Sequence, residues 1–379
     1  MKKKFFLKDH LFNEEKVTFL ANRISLTYSN FKKDDFISEV LNRFPELELK
    51  QRIAWIRTCL KRYLPLKYRA AVQILLKSLP EPLNPELRDN DFGDFIFEPY
   101  NNFVAHYGLD KKDLKFSLNA IKKITKRFSG EDAIRFFINE HPKETLYELQ
   151  KWSRDKHYHV RRLCSEGTRP RLPWSQKINL PITAPLKILD NLYYDCARYV
   201  TRSVANHVND ISKVDPLLAI RVLKKWKNSG KQKPFEMEYI IRHALRSLIK
   251  EGNNEAIRML GVTDNPKILI SNFKTSKKVL MNTALSFSFD IKAKKDANVL
   301  VDYILHFRNK RGELSNKKVF KLKRSNIKAG KSAKFIKRHK LNEHMTTRTL
   351  YPGKHKIEIQ INGKVLKKTY FNLLKSQNS

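Results

Sequence analysis

The chain is expected to fold as an α-helical HEAT-like repeat solenoid over residues 1–264, followed by an immunoglobulin-like β-sandwich over residues 265–379. Three observations predict this. Val160-x-Arg162, Val200-x-Arg202 and Ile240-x-Arg242 recur at steps of 40 residues, and Asp155 and Asp195 stand five residues ahead of the first two matches. A fixed period near 40, helical on both sides, marks stacked helix pairs. From about Asn265 the apolar period changes from 3.6 to 2, the change from helix to strand. A length of 379 residues accommodates two or three domains with a sizeable core.

The helical part begins with paired amphipathic segments. Phe19, Ile24 and Leu26 mark the first, and Ile37, Val40, Leu41 and Phe44 the second, with Asp34 or Asp35 as its cap. Ile53, Ile56, Leu60 and Tyr63 mark the third, and a fourth runs from Ala70 to Leu79 before Pro80-Glu81-Pro82. Residues 83–109 break the rhythm with an aromatic-rich loop, Asn90 to Tyr100, and a short helix from Phe103 to Tyr107 ended by Gly108. Ser129 with Asp132 three residues on suggests a capping-box variant opening the helix Ala133 to Ile138. Leu146 to Trp152 opens the repeat region.

The segment His159 to Trp174 starts as a helix. Gly167 and Pro170 stop it, and the Pro-rich stretch Arg169 to Pro185 is too broken to be helical. A long irregular loop inside a helical array is more often functional than not. The last clear helix runs from Tyr239 to Lys250 and is closed by Gly252. Beyond it, Leu285 to Ile291, Val299 to Phe307, Val319 to Lys323 and His355 to Lys364 alternate as strands. Turn signals at Asn309–Gly312, Ala329–Lys331, Tyr351–Gly353 and Asn362-Gly363 separate them.

Charge points to a polyanionic partner. The net charge is +39, and residues 265–379 carry 28 Lys and Arg against 6 Asp and Glu. That favours nucleic acid over membrane, since no apolar run of about 18 residues could span a bilayer. The three cysteines, Cys59, Cys164 and Cys196, form no Cys-x-x-Cys pair. Neither a zinc ribbon nor a disulfide framework is indicated, and with no signal-peptide core in Met1 to Phe6 a cytoplasmic protein is expected. The histidines show no His-x₃-His or carboxylate-rich ligand set, so neither metal nor other cofactor is expected.

Aligning the three repeat helices places Arg162 and Glu166 on the first. Arg202, Asn206 and Asp210 lie on the second, and Arg242, Arg246 and Lys250 on the third. Residues four apart share a helix face, so the result is a basic stripe with acids embedded in it. A basic stripe suits a phosphate backbone, and carboxylates in it need another reason. Either Arg162–Glu166 and Arg202–Asp210 pair with one another, or the acids face a ligand.

His159 to Trp174, Tyr199 to Asp210 and Arg242 to Lys250 closely resemble the AlkC branch of the AlkC/AlkD DNA-alkylation-repair glycosylases. The resemblance spans nearly the whole chain, including Lys318 to Lys323 and the Tyr-Pro-Gly turn, and is strongest from Trp152 to Gly261. It implies a further active-site acid, Glu131, ahead of the Ala-Ile-Arg run. Cys164 stands where a small residue such as Ala is commoner in the family, and Phe136-Phe137 replaces a proline-containing pair; neither departure removes an acid. The implied activity is hydrolysis of the N-glycosidic bond of cationic N3-alkylated bases, 3-methyladenine and 3-methylcytosine, in duplex DNA. Such a base leaves neutral without being protonated, so the chemistry needs negative charge beside C1′ and a placed water rather than a general acid. Glu166, Asp210 and Glu131 are the candidate catalytic acids. Trp174 would contact the cationic lesion or its sugar. Arg162, Arg169, Arg171, Arg202, Asn206, Arg242, Arg246 and Lys250 would hold the DNA. The sequence shows no plug residue and no base pocket, and the family implies attack without base flipping. Alkylated double-stranded DNA is the expected partner of a monomer with no obligate protein partner. The competing reading is a non-catalytic HEAT-repeat nucleic-acid scaffold, which has no need for acids in a basic groove.

Overall fold

The computed structural model describes residues 6–86, 92–345 and 348–375. Positions 90 and 91, the start of the expected aromatic loop, lie outside the described residues, as do residues 1–5. The chain forms two compact units: Met1–Asp215 with Lys225–Ala244, and Pro216–Lys224 with Leu245–Ser379.

The first unit is helical. After the short α1 (Leu7–Leu11), α2 (Glu14–Ser25) is capped by Asn13, whose Oδ1 accepts from the Lys16 N–H at 3.0 Å. It buries Val17, Leu20, Ala21 and Ile24, whereas Leu26 sits at its C-terminus 83% exposed and outside the core expected for it. In α3 (Lys33–Asn42) the acids Asp34 and Asp35 occupy the first turn, where they favour the helix dipole, and Lys32 is the N-cap residue. A Glu48/Gln51 capping box starts α4 (Leu49–Tyr63), and α5 (Tyr68–Lys77) follows. The aromatic stretch is helical earlier than its composition suggests. Asp94 caps a short turn, Phe95–Phe97, and Pro99 at the start of α6 (Glu98–Tyr107) suits a first turn that needs no N–H. Next come α7 (Leu114–Thr125), α8 (Ala133–Glu140), α9 (Pro142–Trp152), α10 (Tyr158–Glu166), α11 (Leu186–Leu192), α12 (Arg198–Ser212), α13 (Pro216–Asn228), which spans the two units, and α14 (Pro234–Ala244).

The 40-residue repeat has a structural cause. α10 packs on α12 and α12 on α14, while α9 packs on both α10 and α11. Asp155 and Asp195 hold equivalent turns ahead of α10 and α12, accepting from the N–H of His157 and of Ala197, each at 2.8 Å. The expected continuous helix from Tyr239 to Lys250 is instead broken at Leu245. The Ala244 carbonyl, which would serve a continuing helix, accepts from Asn209 Nδ2 at 2.8 Å. Arg246 and Lys250 therefore belong to a separate helix, α15 (Arg246–Glu251), which Gly252 closes at φ +82°.

The second unit continues through α16 (Asn254–Arg258) into the sandwich. One sheet has three strands, in the order β1 (Ile268–Thr275), β3 (Ala284–Ala293), β6 (Ser332–Lys340). The other has five: β2 (Lys278–Leu280), β10 (Lys364–Leu374), β9 (Gly353–Ile361), β4 (Ala297–Arg308), β5 (Leu314–Ile327). A separate two-stranded ribbon joins β7 (His344–Met345) and β8 (Arg348–Thr349). Phe287, Phe289, Val301, Tyr303, Leu305, Ile357 and Ile359 meet in the core. The period change near Asn265 lies inside this unit. The three cysteines are free, and no helix of the described residues is long and apolar enough to cross a membrane.

Candidate active site

Three carboxylates, two arginines and an indole from distant parts of the first unit converge on one end of α10. Glu166, in its last turn, is buried. Its Oε1 accepts from Arg169 Nη1 at 2.5 Å and its Oε2 from Ser203 Oγ, on α12, at 2.6 Å. Arg169 Nε reaches across to Asp210 Oδ2 at 2.8 Å, and Lys213 Nζ lies 3.3 Å from Asp210 Oδ1. One guanidinium therefore clamps both buried acids. Arg162, one turn before Glu166, sits 3.8 Å from it and donates from Nη1 to Glu131 Oε2 at 2.5 Å. Its guanidinium lies 4.5 Å from the centre of the Tyr199 ring. Glu131 also accepts from Ser129 Oγ at 2.9 Å, so Ser129 serves the acid rather than the expected capping box.

The charges follow from these contacts. Burial alone would raise the Glu166 pKa; Arg162, Arg169 and Ser203 outweigh it and hold the carboxylate below its ordinary value. Burial works against charged Arg162 as well, and Glu131 and Glu166 more than reverse it. Near the clamp, His207 donates from Nδ1 to the Ser165 carbonyl at 3.0 Å, and burial lowers its pKa to about 4, so it is neutral.

Gly167 ends α10 with φ −65°, and its reason is contact: a Cβ there would stand 2.4 Å from Ile134 Cγ2 on α8. The loop beyond is held by α8. Arg135, fully buried, donates to the Gly167, Arg169 and Gln176 carbonyls at 3.1, 2.8 and 2.6 Å. Asn139, four residues on and on the same face, donates to the Lys177 carbonyl and accepts from the Asn179 N–H, both at 3.0 Å. The loop presents Trp174, 81% exposed and at φ +73°, a left-handed conformation that costs a non-glycine residue on the order of 1 kcal/mol. Trp174 lines a cavity of about 280 Å³ with Glu131.

Other expected contacts fall differently. Asp210 pairs with Arg169 and Lys213, not with Arg202. Arg169 is buried in the carboxylate clamp rather than presented to a backbone. Arg171 and Arg242 are exposed, Arg202 is half-buried, and Asn206 accepts from His243 Nε2 at 2.8 Å. Arg246 and Lys250 lie in the second unit, where Lys250 acts electrostatically on Asp302. Sequence reasoning missed Arg135, Asn139, Ser203, Tyr199 and the cavity. Arg135 carried a signal, its place in the Ala-Ile-Arg run; the others carried none.

The architecture defines a helical-repeat protein with a C-terminal immunoglobulin-like domain and an acid cluster at a repeat seam. Residues 270–375 match the family described as "Uncharacterised protein YhaZ, C-terminal Ig-like domain". The chain is 32% identical over 360 residues to "Uncharacterized protein YhaZ" of Bacillus subtilis (strain 168), covering 94% of this chain and 96% of the relative. It is also 32% identical to the alkylpurine DNA glycosylase AlkC of Pseudomonas fluorescens, solved bound to DNA containing an abasic site analog. That match has a TM-score of 0.87 and covers 97% of this chain and 99% of the other. The chain belongs to the AlkC branch of the AlkC/AlkD DNA-alkylation-repair family.

Proposed function

We propose that this chain is a DNA glycosylase that hydrolyses the N-glycosidic bond of cationic N3-alkylated bases, 3-methyladenine and 3-methylcytosine, in duplex DNA, beginning base excision repair. The observation that carries the reading is the Glu166–Arg169–Asp210 clamp joined through Arg162 to Glu131: three acids gathered in a chain of net charge +39. Two of these acids are nearly fully buried, which is costly without a purpose such as stabilising a cation. The likeness to an alkylpurine DNA glycosylase supports the same reading.

The lesion carries its positive charge on the base. When the C1′–N bond breaks, its electron pair passes to the base nitrogen and neutralises it, and positive charge develops on the sugar. Fixed carboxylates stabilise that charge, and one of them orients the water whose oxygen bonds to C1′ and takes up the proton released. Glu131 is the most accessible of the three, with its side chain 29% exposed, and is the acid best placed to meet the sugar or the water. Glu166 and Asp210 supply the field behind it. The sugar is reached from the groove, without extruding the base. Arg171, Arg202 and Arg242 contribute phosphate contacts, and Arg162 and Arg169 position the acids.

Release of free methylated base from methylated duplex DNA under single-turnover conditions tests this. Wild type should release base, whereas Glu166→Gln, Asp210→Asn and Glu131→Gln should lose release while still binding duplex. Tight, salt-sensitive duplex binding with no release by wild type would replace the enzyme with a non-catalytic scaffold.

A further inference from the structure

The cavity beneath Trp174 is built differently from the acid clamp. Leu7 and Leu11 of α1, Leu49 and Ile53 of α4, Phe95 and Phe128 form its apolar walls, and Pro173 and Trp174 its rim. About 280 Å³ is at the small end for ligand sites and suits one flat heterocycle rather than a nucleotide. Its polar lining comprises Glu98, Glu131, Asp132, Lys50, Ser129 and Ser175. Glu131 links it to the acid clamp through Arg162, and Glu98 comes from the first turn of α6.

Glu98 is unlike the clamp acids. It is 6% exposed, and its hydrogen bond is a long one, accepted from Asn101 Nδ2 at 3.3 Å. The charged groups acting on it are Asp132 and Glu131, which oppose ionisation, and Lys50, which favours it only weakly. Burial, reinforced by the two acids, pushes its pKa well above the carboxylate range. A neutral carboxyl group donates a hydrogen bond where a carboxylate can only accept one.

We propose that this cavity is a product subsite that takes the freed, neutral alkylated base after the glycosidic bond has broken, stacked against Trp174 and hydrogen-bonded through a ring nitrogen to the Glu98 carboxyl. The inference rests on the glycosylase reading and extends it to the leaving group. Before cleavage the base is a cation, held near the carboxylates, and its glycosidic nitrogen has no free electron pair to accept a hydrogen bond. Cleavage returns an electron pair to the ring. The base loses its attraction to the buried acids Glu166 and Asp210 and gains the acceptor and the apolar character that the cavity's apolar walls and the Glu98 carboxyl match. The charge change therefore drives the base away from C1′, and the apolar walls receive it.

The test is equilibrium dialysis of radiolabelled free 3-methyladenine against the full-length protein without DNA, with adenine as comparison. Saturable binding of 3-methyladenine is expected. Leu49→Trp, which fills the cavity from a half-buried position in its wall, and Glu98→Leu, which removes the donor, should each weaken it at least tenfold, and Glu98→Gln, which keeps a donor, should retain it. Thermal melts check that each variant is folded. Absence of saturable binding by wild type, or equal binding by folded Leu49→Trp, overturns the proposal. Base release from methylated DNA is measured on the same wild-type preparation. Release without free-base binding sinks the product subsite and leaves the glycosylase, whereas binding without release leaves a heterocycle site and sinks the glycosylase.

Discussion

Replacing Arg169 with Met separates the two roles this residue could have. In the structure its guanidinium touches Glu166 at 2.5 Å and Asp210 at 2.8 Å, and both acids are buried. Arg169→Met keeps much of the stem packing and leaves two buried carboxylates without their shared cation. Breaking a buried pair in this way costs about 3–5 kcal/mol. Arg162 at 3.8 Å and Ser203 at 2.6 Å from Glu166, and Lys213 at 3.3 Å from Asp210, soften the loss toward about 3 kcal/mol. At roughly 2–4 °C per kcal/mol, the helical unit should melt about 6–12 °C lower, read by calorimetry as its own transition. Arg169→Met/Asp210→Asn should recover part of that drop, because one uncompensated charge is gone. The pH dependence has a fixed sign. Glu166 has a lowered pKa in the folded state, so its pairing stabilises above its ordinary value of 4.5 and that stability is lost as pH falls through the lower folded value. The gap between wild type and Arg169→Met should be full at neutral pH and close in acid. An unchanged melting temperature, with the salt dependence of duplex binding reduced by about 0.9 in log–log slope, would refute the clamp and return Arg169 to the phosphate contact expected from the sequence.

Three further outcomes follow from the same geometry. Gly167→Ala forces a methyl group to 2.4 Å from Ile134 Cγ2 and should cost about 1–3 kcal/mol, with Ile134→Leu, which lacks that γ-methyl, recovering part of it in the same chain, read by denaturant melts. Arg135→Met strips three carbonyls of the Trp174 loop of their donor; protease cleavage within residues 169–179 should appear, and single-turnover release should fall about 10²-fold with duplex affinity nearly kept. Asp302, on β4, is pushed up to about 6 by burial, with Lys321 and Lys250 only partly offsetting it, so the cost of its charge grows as pH rises from about 4 to 6 and then levels off near 3 kcal/mol. Asp302→Asn should therefore raise the stability of the second unit by about 2–3 kcal/mol at pH 8 and hardly at all at pH 4; equal effects at both would refute the assignment.

What could be read in advance was what repeats or alternates. The 40-residue period located α10, α12 and α14 because each helix solves the same packing problem against its neighbour. Strands β3, β4 and β9 alternate strongly enough to be recognised. β6 and β10 were missed because exposed lysines and arginines dilute the apolar alternation, as in Lys334, Arg338, Lys367 and Lys368, and because Lys337 breaks the apolar run on the inward face of β6 that holds Phe335. The break at Leu245 is also invisible locally, since Arg242 to Lys250 is good helix sequence. What stops the helix is the side chain of Asn209, 35 residues away, occupying the Ala244 carbonyl. The site divides in the same way. Glu166 and Asp210 are recognisable as acids in a basic stripe, but assigning Asp210 to Arg202 by helical spacing chose a neighbour on the same helix. The fold supplied a better one, 41 residues away, because α10 and α12 pack tightly enough to bring Arg169 over both carboxylates. Periodicity gives the face a residue points to. Which opposite charge it meets there is decided by the seam between helices, and at this seam the residue expected to hold DNA holds the acids instead.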